Sequence, residues 1–324
     1  MVARAWGGGD RVDAKKQQLW QEPTKVGVEE MFVQNDAVSL CLLLNRRTKT
    51  MRVVDFRAGP SHAKRVFVLK LAKREGIEKV YTLVERDEVS TWVKLGFAKE
   101  ANIPGFYKRS DAFILGCSVA DADLHVPASL TDLGDDDDEP APVLPSPAHD
   151  LMEKTLATAK KHNKELLDRP LPVTKLTVAR ESEVKKTIEK TVRTGRALTA
   201  FEPFGRDVER RYFLVTGRGN FELVASTESQ SCFGNAFLEL LTAPKTDAER
   251  LCTISALRTI CDKLMSEGVV SCFAHVPSDD IALATAFVYN GFRRTGLLQN
   301  HVVVGGARKD VIIFSRKLAN PADE

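Results

Sequence analysis

Apolar runs and helical periodicities follow one another along this chain in an order that occurs twice. Val38 to Leu44 is an apolar run bounded by Asn35-Asp36 and Asn45-Arg46-Arg47-Thr48, and Met51 to Phe56 resumes it, which predicts a hairpin. Ser61 is a cap signal for a helix over His62 to Glu75, where Val66, Phe67, Leu69, Leu71 and Ala72 interleave with Lys64, Arg65, Lys70, Lys73 and Arg74 until Gly76. A strand over Lys79 to Val84, a short helix over Asp87 to Leu95 and a strand over Phe113 to Val119 complete a ββαβαβ order. The five cations of the first helix form the solvated face expected of an amphipathic helix.

From Ala120 the chain turns acidic and proline-rich, and a segment of this composition cannot bury enough apolar surface to offset its ordering entropy. The predicted organisation is a loose leader over 1–27, a first unit over 28–119, a linker over 120–150, a bridging helix over 151–170 and a second unit over 171–320. In the second unit the pattern predicts a helix over Glu181 to Thr194, a hairpin of Arg211 to Thr216 with Glu222 to Ser226, and a strand over Ala236 to Leu241. A long helix follows, capped by Thr246 or Asp247, with Leu251, Ile254, Leu257, Ile260, Cys261 and Leu264 at helical spacing until Gly268. Val270 to His275 is a strand, Asp280 to Tyr289 a helix, and His301 to Val304 and Val311 to Ser315 the closing strands. Both halves end a helix in Gly-Phe, at Gly96-Phe97 and Gly291-Phe292: glycine takes the left-handed C-cap conformation and the aromatic packs back on the last turn.

Composition narrows the chemistry. Lys plus Arg number 47 against 44 Asp plus Glu, yet Ser110 to Glu153 holds eleven acids and no Lys or Arg, so the remainder carries +14. A basic body could favour an anionic ligand such as a nucleotide-bearing cofactor. With aromatic residues at 7% and no stacking motif beside the basic runs, nucleic acid is not expected as a partner. Asp135 to Asp138 lacks the alternating ligands and turn glycine of a calcium loop, and the six cysteines form no C-x-x-C pair, so no metal is expected. With no run of 18 apolar residues and no signal or transit pattern, the expectation is a soluble cytoplasmic protein with reduced cysteines and no membrane association.

A strand, a long helix, a strand, a short helix ending in Gly-Phe and closing strands resemble the GNAT N-acetyltransferase superfamily. More narrowly, several segments resemble bacterial and archaeal β-lysine N-acetyltransferases. These are Asn35-Asp36-Ala37-Val38, Lys79-Val80-Tyr81-Thr82, Gly96-Phe97-Ala98-Lys99-Glu100, Ile103-Pro104-Gly105-Phe106-Tyr107, Asp111-Ala112-Phe113, Asn235-Ala236, Thr295-Gly296-Leu297-Leu298-Gln299-Asn300 and Gly305-Gly306. The resemblance implies an α/β fold of two GNAT-like units, the first truncated, each a mixed, mostly antiparallel sheet flanked by helices. It also implies acetyl transfer from acetyl-CoA to a small primary amine.

On that resemblance, the co-substrate would meet Leu241, Ala243, Lys245, Thr246 and Arg250. The glycine-rich pyrophosphate turn of the family is replaced by Thr242 to Arg250, in which Pro244 removes a donor and Asp247 and Glu249 oppose phosphate. The tyrosine acid of the family, five residues before the Phe of Gly-Phe, is matched by Trp92 and Phe287; Tyr289 lies two residues on from Phe287 and reads as packing. Glu239, inside an apolar strand, is a candidate base or the partner of a buried arginine. His275 and His301 are candidate bases or hydrogen-bonded structural histidines. Two function classes remain open: an N-acetyltransferase, or a catalytically degenerate relative serving a protein partner as scaffold or regulator, or acting as an acyl-CoA sensor.

Overall fold

The computed structural model describes residues 28–34, 38–46, 48–55, 61–107, 110–122, 146–194, 208–230, 233–244 and 246–319. The leader, most of the acidic linker with Asp135 to Asp138, and Lys245 lie outside these residues. The first half contains β1 (Val28–Gln34), β2 (Ser39–Asn45), β3 (Thr50–Asp55), α1 (His62–Arg74), β4 (Lys79–Val84), α2 (Val89–Lys94), β5 (Ala98–Ile103) and β6 (Ala112–Ser118). After α3 (Pro147–Leu166) come β7 (Thr174–Ala179), α4 (Glu181–Arg193), β8 (Glu209–Gly217), β9 (Phe221–Gln230), β10 (Asn235–Leu240), α5 (Asp247–Ser266), β11 (Ser271–Pro277), α6 (Ile281–Tyr289), β12 (Arg293–Val304) and β13 (Ala307–Lys317).

All of these strands join one sheet in the order β1-β2-β3-β4-β6-β5-β12-β13-β11-β10-β9-β8-β7. The pairing scheme recurs: β3 runs parallel to β4 across α1 and β4 antiparallel to β6, as β10 runs parallel to β11 across α5 and β11 antiparallel to β13. The two sets meet where Ala101 of β5 pairs with Gly296 of β12. A Cβ on Gly296 would stand 2.3 Å from Ala101 Cβ, so only glycine lets the strands approach.

The helix ends explain both Gly-Phe pairs. Gly96 and Gly291 have φ of +83° and +79°. Phe97 N–H donates to Trp92 O at 3.0 Å and Phe292 N–H to Phe287 O at 3.1 Å, closing the same capping motif twice. The rings follow the backbone, with Trp92 and Phe97 edge to face at 4.9 Å and Phe287 and Phe292 at 5.0 Å. Trp92 and Phe287 are therefore core aromatics of the cap.

Helices α1 and α2 cover one core on the first half of the sheet, and α3, α5 and α6 cover another on the second. A third core lies on the opposite face and spans the seam, joining Tyr81, Ala101, Ile103 and Phe106 to Phe237, Phe273, Leu298 and Val311. The Ile-Pro-Gly-Phe-Tyr segment belongs to it: Phe106 lies 5.8 Å from Phe273, and its carbonyl accepts from Asn235 Nδ2 at 2.5 Å.

Several expectations are corrected. Strands β1, β5 and β7 go unannounced in the sequence because each is polar or at a sheet end, where pairing substitutes for apolar patterning. Strand β12 begins at Arg293, eight residues before the expected start, and α3 begins at Pro147 and buries Met152, Leu156 and Ala159 in the second core. Lys64 is not on a solvated face: it is buried and ion-paired with Asp55, while half-buried Arg65 donates to Leu95 O.

Candidate functional site

The most distinctive feature of the second half is a wedge in the sheet. Strands β10 and β11 pair in parallel for four residues, Asn235↔Ser271 to Leu238↔Ala274, and then run on without pairing to each other, β10 still held by β9 and β11 by β13. Leu241 N–H donates to Val224 O on the β9 side, while Gly234 O accepts from Val270 N–H on the β11 side. By alternation the backbone groups of Leu240 face β11, beyond the last pair, and point into the wedge. Leu241 therefore presents its N–H away from it. On the other wall Ser278 N–H donates to Asp310 O, so His275 and Pro277 face β10.

The N-terminus of α5, a helix of 20 residues, stands at the open end. Thr246 caps it by accepting from Glu249 N–H at 3.2 Å. Arg250 is exposed and pairs with Asp247 at 2.7 Å. Uncapped amides and the helix dipole favour an anion here, but Asp247 and Glu249 in the first turn oppose one. Ala243 is half-buried between strand and helix.

Side chains of β10 alternate between the face covered by α5, which takes Leu240, and the opposite face, which takes Phe237, Glu239 and Leu241, the last packed under Val184 and Ile188 of α4. Glu239 is buried, accepts from Arg210 Nη2 at 3.2 Å and from Ser226 Oγ at 3.3 Å, and shares Arg210 with Glu228, 2.5 Å away. Burial works against the Arg210 charge, but the two carboxylates outweigh it and raise its pKa. Of the two sequence readings of Glu239, this geometry matches the arginine-paired carboxylate.

His275 lies on the same face, its ring 4.7 Å from Phe237 and 5.3 Å from His301. It is part-exposed, with Nε2 enclosed, and burial lowers its pKa to about 3. His301 is 1% exposed, and burial, with the His275, Lys79 and Arg308 charges behind it, holds it well below the usual histidine range. Both imidazoles are neutral at pH 7. The structure thus sets Glu239 and His275 on one face of the two strands that wall the wedge, points the Leu240 backbone into it, sets Thr246 and Arg250 at its end, and carries His301 inward.

No family model and no curated protein matches the chain. It is similar to the solved ribosomal-protein-S18-alanine N-acetyltransferase from Escherichia coli at 17% identity, over 46% of this chain and 96% of that one, with a TM-score of 0.34. It is also similar to a variant of the spermidine N-acetyltransferase from Vibrio cholerae at 13% identity, over 47% of this chain and 98% of that one, with a TM-score of 0.38.

Sequence reasoning missed Arg210, Ser226 and Glu228, whose convergence depends on the β8-β9-β10 register. Their signal was faint: charged residues at alternate positions of strands that end up covered. Tyr289 packs in the second core with Arg258 5.5 Å over its ring. Among the described residues no helix is long and apolar enough to cross a membrane, and no three His, Cys, Asp or Glu gather as metal ligands.

Proposed function

We propose that this chain is a GNAT-type N-acetyltransferase that moves an acetyl group from acetyl-CoA to a small, amino-acid-like primary amine. The wedge between β10 and β11 carries the proposal. An acyl-pantetheine arm is a thin chain of amides, and the N–H and C=O of Leu240 offer it strand-like pairing. Ala243 and Thr246 line its path toward the α5 terminus, where Arg250 is a cation for the phosphates and the sequence offers Lys245 as a second. The order strand, long helix, strand, short Gly-Phe helix, closing strands supports the same reading, being realised as β10-α5-β11-α6-β12-β13.

In this reading the amine enters from the Glu239 and His275 face. His275, neutral and part-exposed, accepts the ammonium N–H and relays its proton to solvent water, and the freed nitrogen attacks the thioester carbonyl carbon. A C–N bond forms, the C–S bond breaks, and the electron pair leaves on sulfur. The acylated nitrogen gives its second proton to water and water protonates the thiolate, because Phe287 fills the position from which a tyrosine would do so. Glu239 keeps Arg210 in place beneath the site.

The acidic first turn of α5 favours a second reading, a degenerate relative that binds acyl-CoA weakly as a sensor or serves a protein partner as a scaffold. Calorimetric titration with acetyl-CoA, followed by transfer assays on β-lysine, lysine and polyamines, separates the two. Saturable binding with acetylated product supports the enzyme; binding without product with any amine supports the sensor; no binding leaves the scaffold.

A further inference from the structure

The continuous sheet lets the first half of the chain build part of the site in the second. At the centre the β12–β13 ladder is interrupted: Leu298 pairs with Val311 and Val302 with Lys309, leaving Gln299, Asn300 and His301 opposite Asp310. Asn300 takes a left-handed conformation, φ 49°, and its N–H is held by Asp310 Oδ1 at 2.7 Å. A bulge of this kind re-aims the side chains around it. It turns the Gln299 carbonyl to Lys79 Nζ at 2.6 Å and sends the His301 ring inward, edge to face with Tyr81 at 4.9 Å and with His275 at 5.3 Å. Tyr81 and Lys79 both belong to β4, in the first half. Lys79 is also ion-paired with Glu100 of β5, whose carboxylate occupies space that a Cβ on Gly116 would enter at 2.6 Å. Arg308 of β13 closes the outside by bonding Asn300 O and Thr48 O and pairing with Glu78.

His301 is an expensive residue to keep here. It is enclosed, and its Nδ1 has no hydrogen-bond partner among the described residues. An unsatisfied buried nitrogen costs stability, so an apolar residue would serve packing better. The contact with His275 offers a reason. A histidine ring rotates broadly about its second side-chain torsion, and the ring of His275 is confined by Phe237 on one side and His301 on the other.

We infer that His301 is a positioning residue: supported by Tyr81 and Lys79 of the first half, it fixes the plane of the His275 ring at the wedge, so that the N-terminal half sets the geometry of the base in the C-terminal half. This rests on the N-acetyltransferase reading, in which His275 receives the amine proton. The groups facing His301 are His275 from β11, Tyr81 and Lys79 from β4 and Arg308 from β13, with Glu100 paired to Lys79 and Glu78 to Arg308. Burial, with the two cations behind it, keeps His301 neutral, so the ring that meets His275 adds no charge beside it.

The test compares His301→Phe, which keeps a ring in place, with His301→Ala, which removes it. Positioning by contact predicts that kcat falls at least tenfold in His301→Ala while the KM for acetyl-CoA stays within about twofold, and that His301→Phe restores most of it. Tyr81→Leu, made in the other half of the chain, should reproduce the kcat loss, and it carries the test if His301→Ala does not fold. Ring-selective NMR of labelled histidine supplies a readout independent of turnover: one set of His275 ring signals in wild type and His301→Phe, shifted or averaged signals in His301→Ala or Tyr81→Leu. Equal kcat losses in the Phe and Ala variants, or His275 signals untouched by removing His301 or Tyr81 support, overturn the inference. If wild type transfers no acetyl group, the functional reading falls, and the His275 ring signals still decide whether His301 orients that ring.

Discussion

Acidifying the protein from pH 7 to pH 5 should destabilise it through His301, and the size of the effect follows from its enclosure. In the unfolded chain a histidine titrates near 6.5. In the fold the pKa of His301 is held well below that, first by burial and then by the charges of His275, Lys79 and Arg308. The unfolded state therefore binds the extra proton as pH falls, and stability drops with pH at up to about 1.4 kcal/mol per unit below 6.5 until the folded histidine titrates. For a group that stays neutral in the fold, the loss between pH 7 and pH 5 is roughly 1.9 kcal/mol. His275, lowered to about 3, adds a loss of the same sign, reduced because part of its ring meets solvent. Burial raises the carboxyls of Glu100 and Asp280, and these act in the opposite sense, stabilising the fold as pH falls. The informative quantity is therefore a difference. Urea unfolding followed by circular dichroism at pH 7, 6 and 5 should give wild type a steeper loss than His301→Phe, by up to about 1.9 kcal/mol over the interval. Parallel stability lines for the two proteins would refute the reasoning, because they would mean that His301 is protonated as easily folded as unfolded.

Gly296→Ala places a methyl group 2.3 Å from Ala101 Cβ and should cost about 1 to 3 kcal/mol or more, seen as a lower thermal midpoint and partly relieved by Ala101→Gly; an unchanged midpoint would deny the close β5–β12 approach. Lys64→Met removes the cation from the buried Asp55 side chain and should cost up to about 3 to 5 kcal/mol, whereas Lys64→Met with Asp55→Leu should return most of it; a double variant as unstable as the single would argue against that cause. Asp247→Asn and Glu249→Gln should each tighten acetyl-CoA binding roughly two- to fivefold, from about 0.3 to 1 kcal/mol of relieved repulsion, at a similar cost in helix stability; weaker binding would move the phosphates elsewhere.

Much of this architecture was legible along the chain because local rules settle it. The spacing of Leu251, Ile254, Leu257 and Ile260 is enough to define α5, and its Thr246 cap is found where the polar signal stood. Lys79 to Val84 is a strand as read, and Gly-Phe after α2 and α6 encodes a cap that needs only six consecutive residues to close. Thr246, Arg250, Glu239 and His275 were marked in the sequence as candidates, but the wedge between β10 and β11 that they border was not. What the chain could not announce is whatever depends on residues far apart in number. Lys64 reads as one more solvated cation until Asp55 is brought against it. Glu239 is bound by Arg210 only because β8, β9 and β10 pair in one register, 29 residues separating the partners. Lys79 touches Gln299 across 220 residues, and His301 turns inward only because a bulge opposite Asp310 rotates it. Helices, caps and strand cores are written in neighbouring residues because their hydrogen bonds are local; the electrostatics of the seam belong to the tertiary structure, which alone decides which charges share a dry interior.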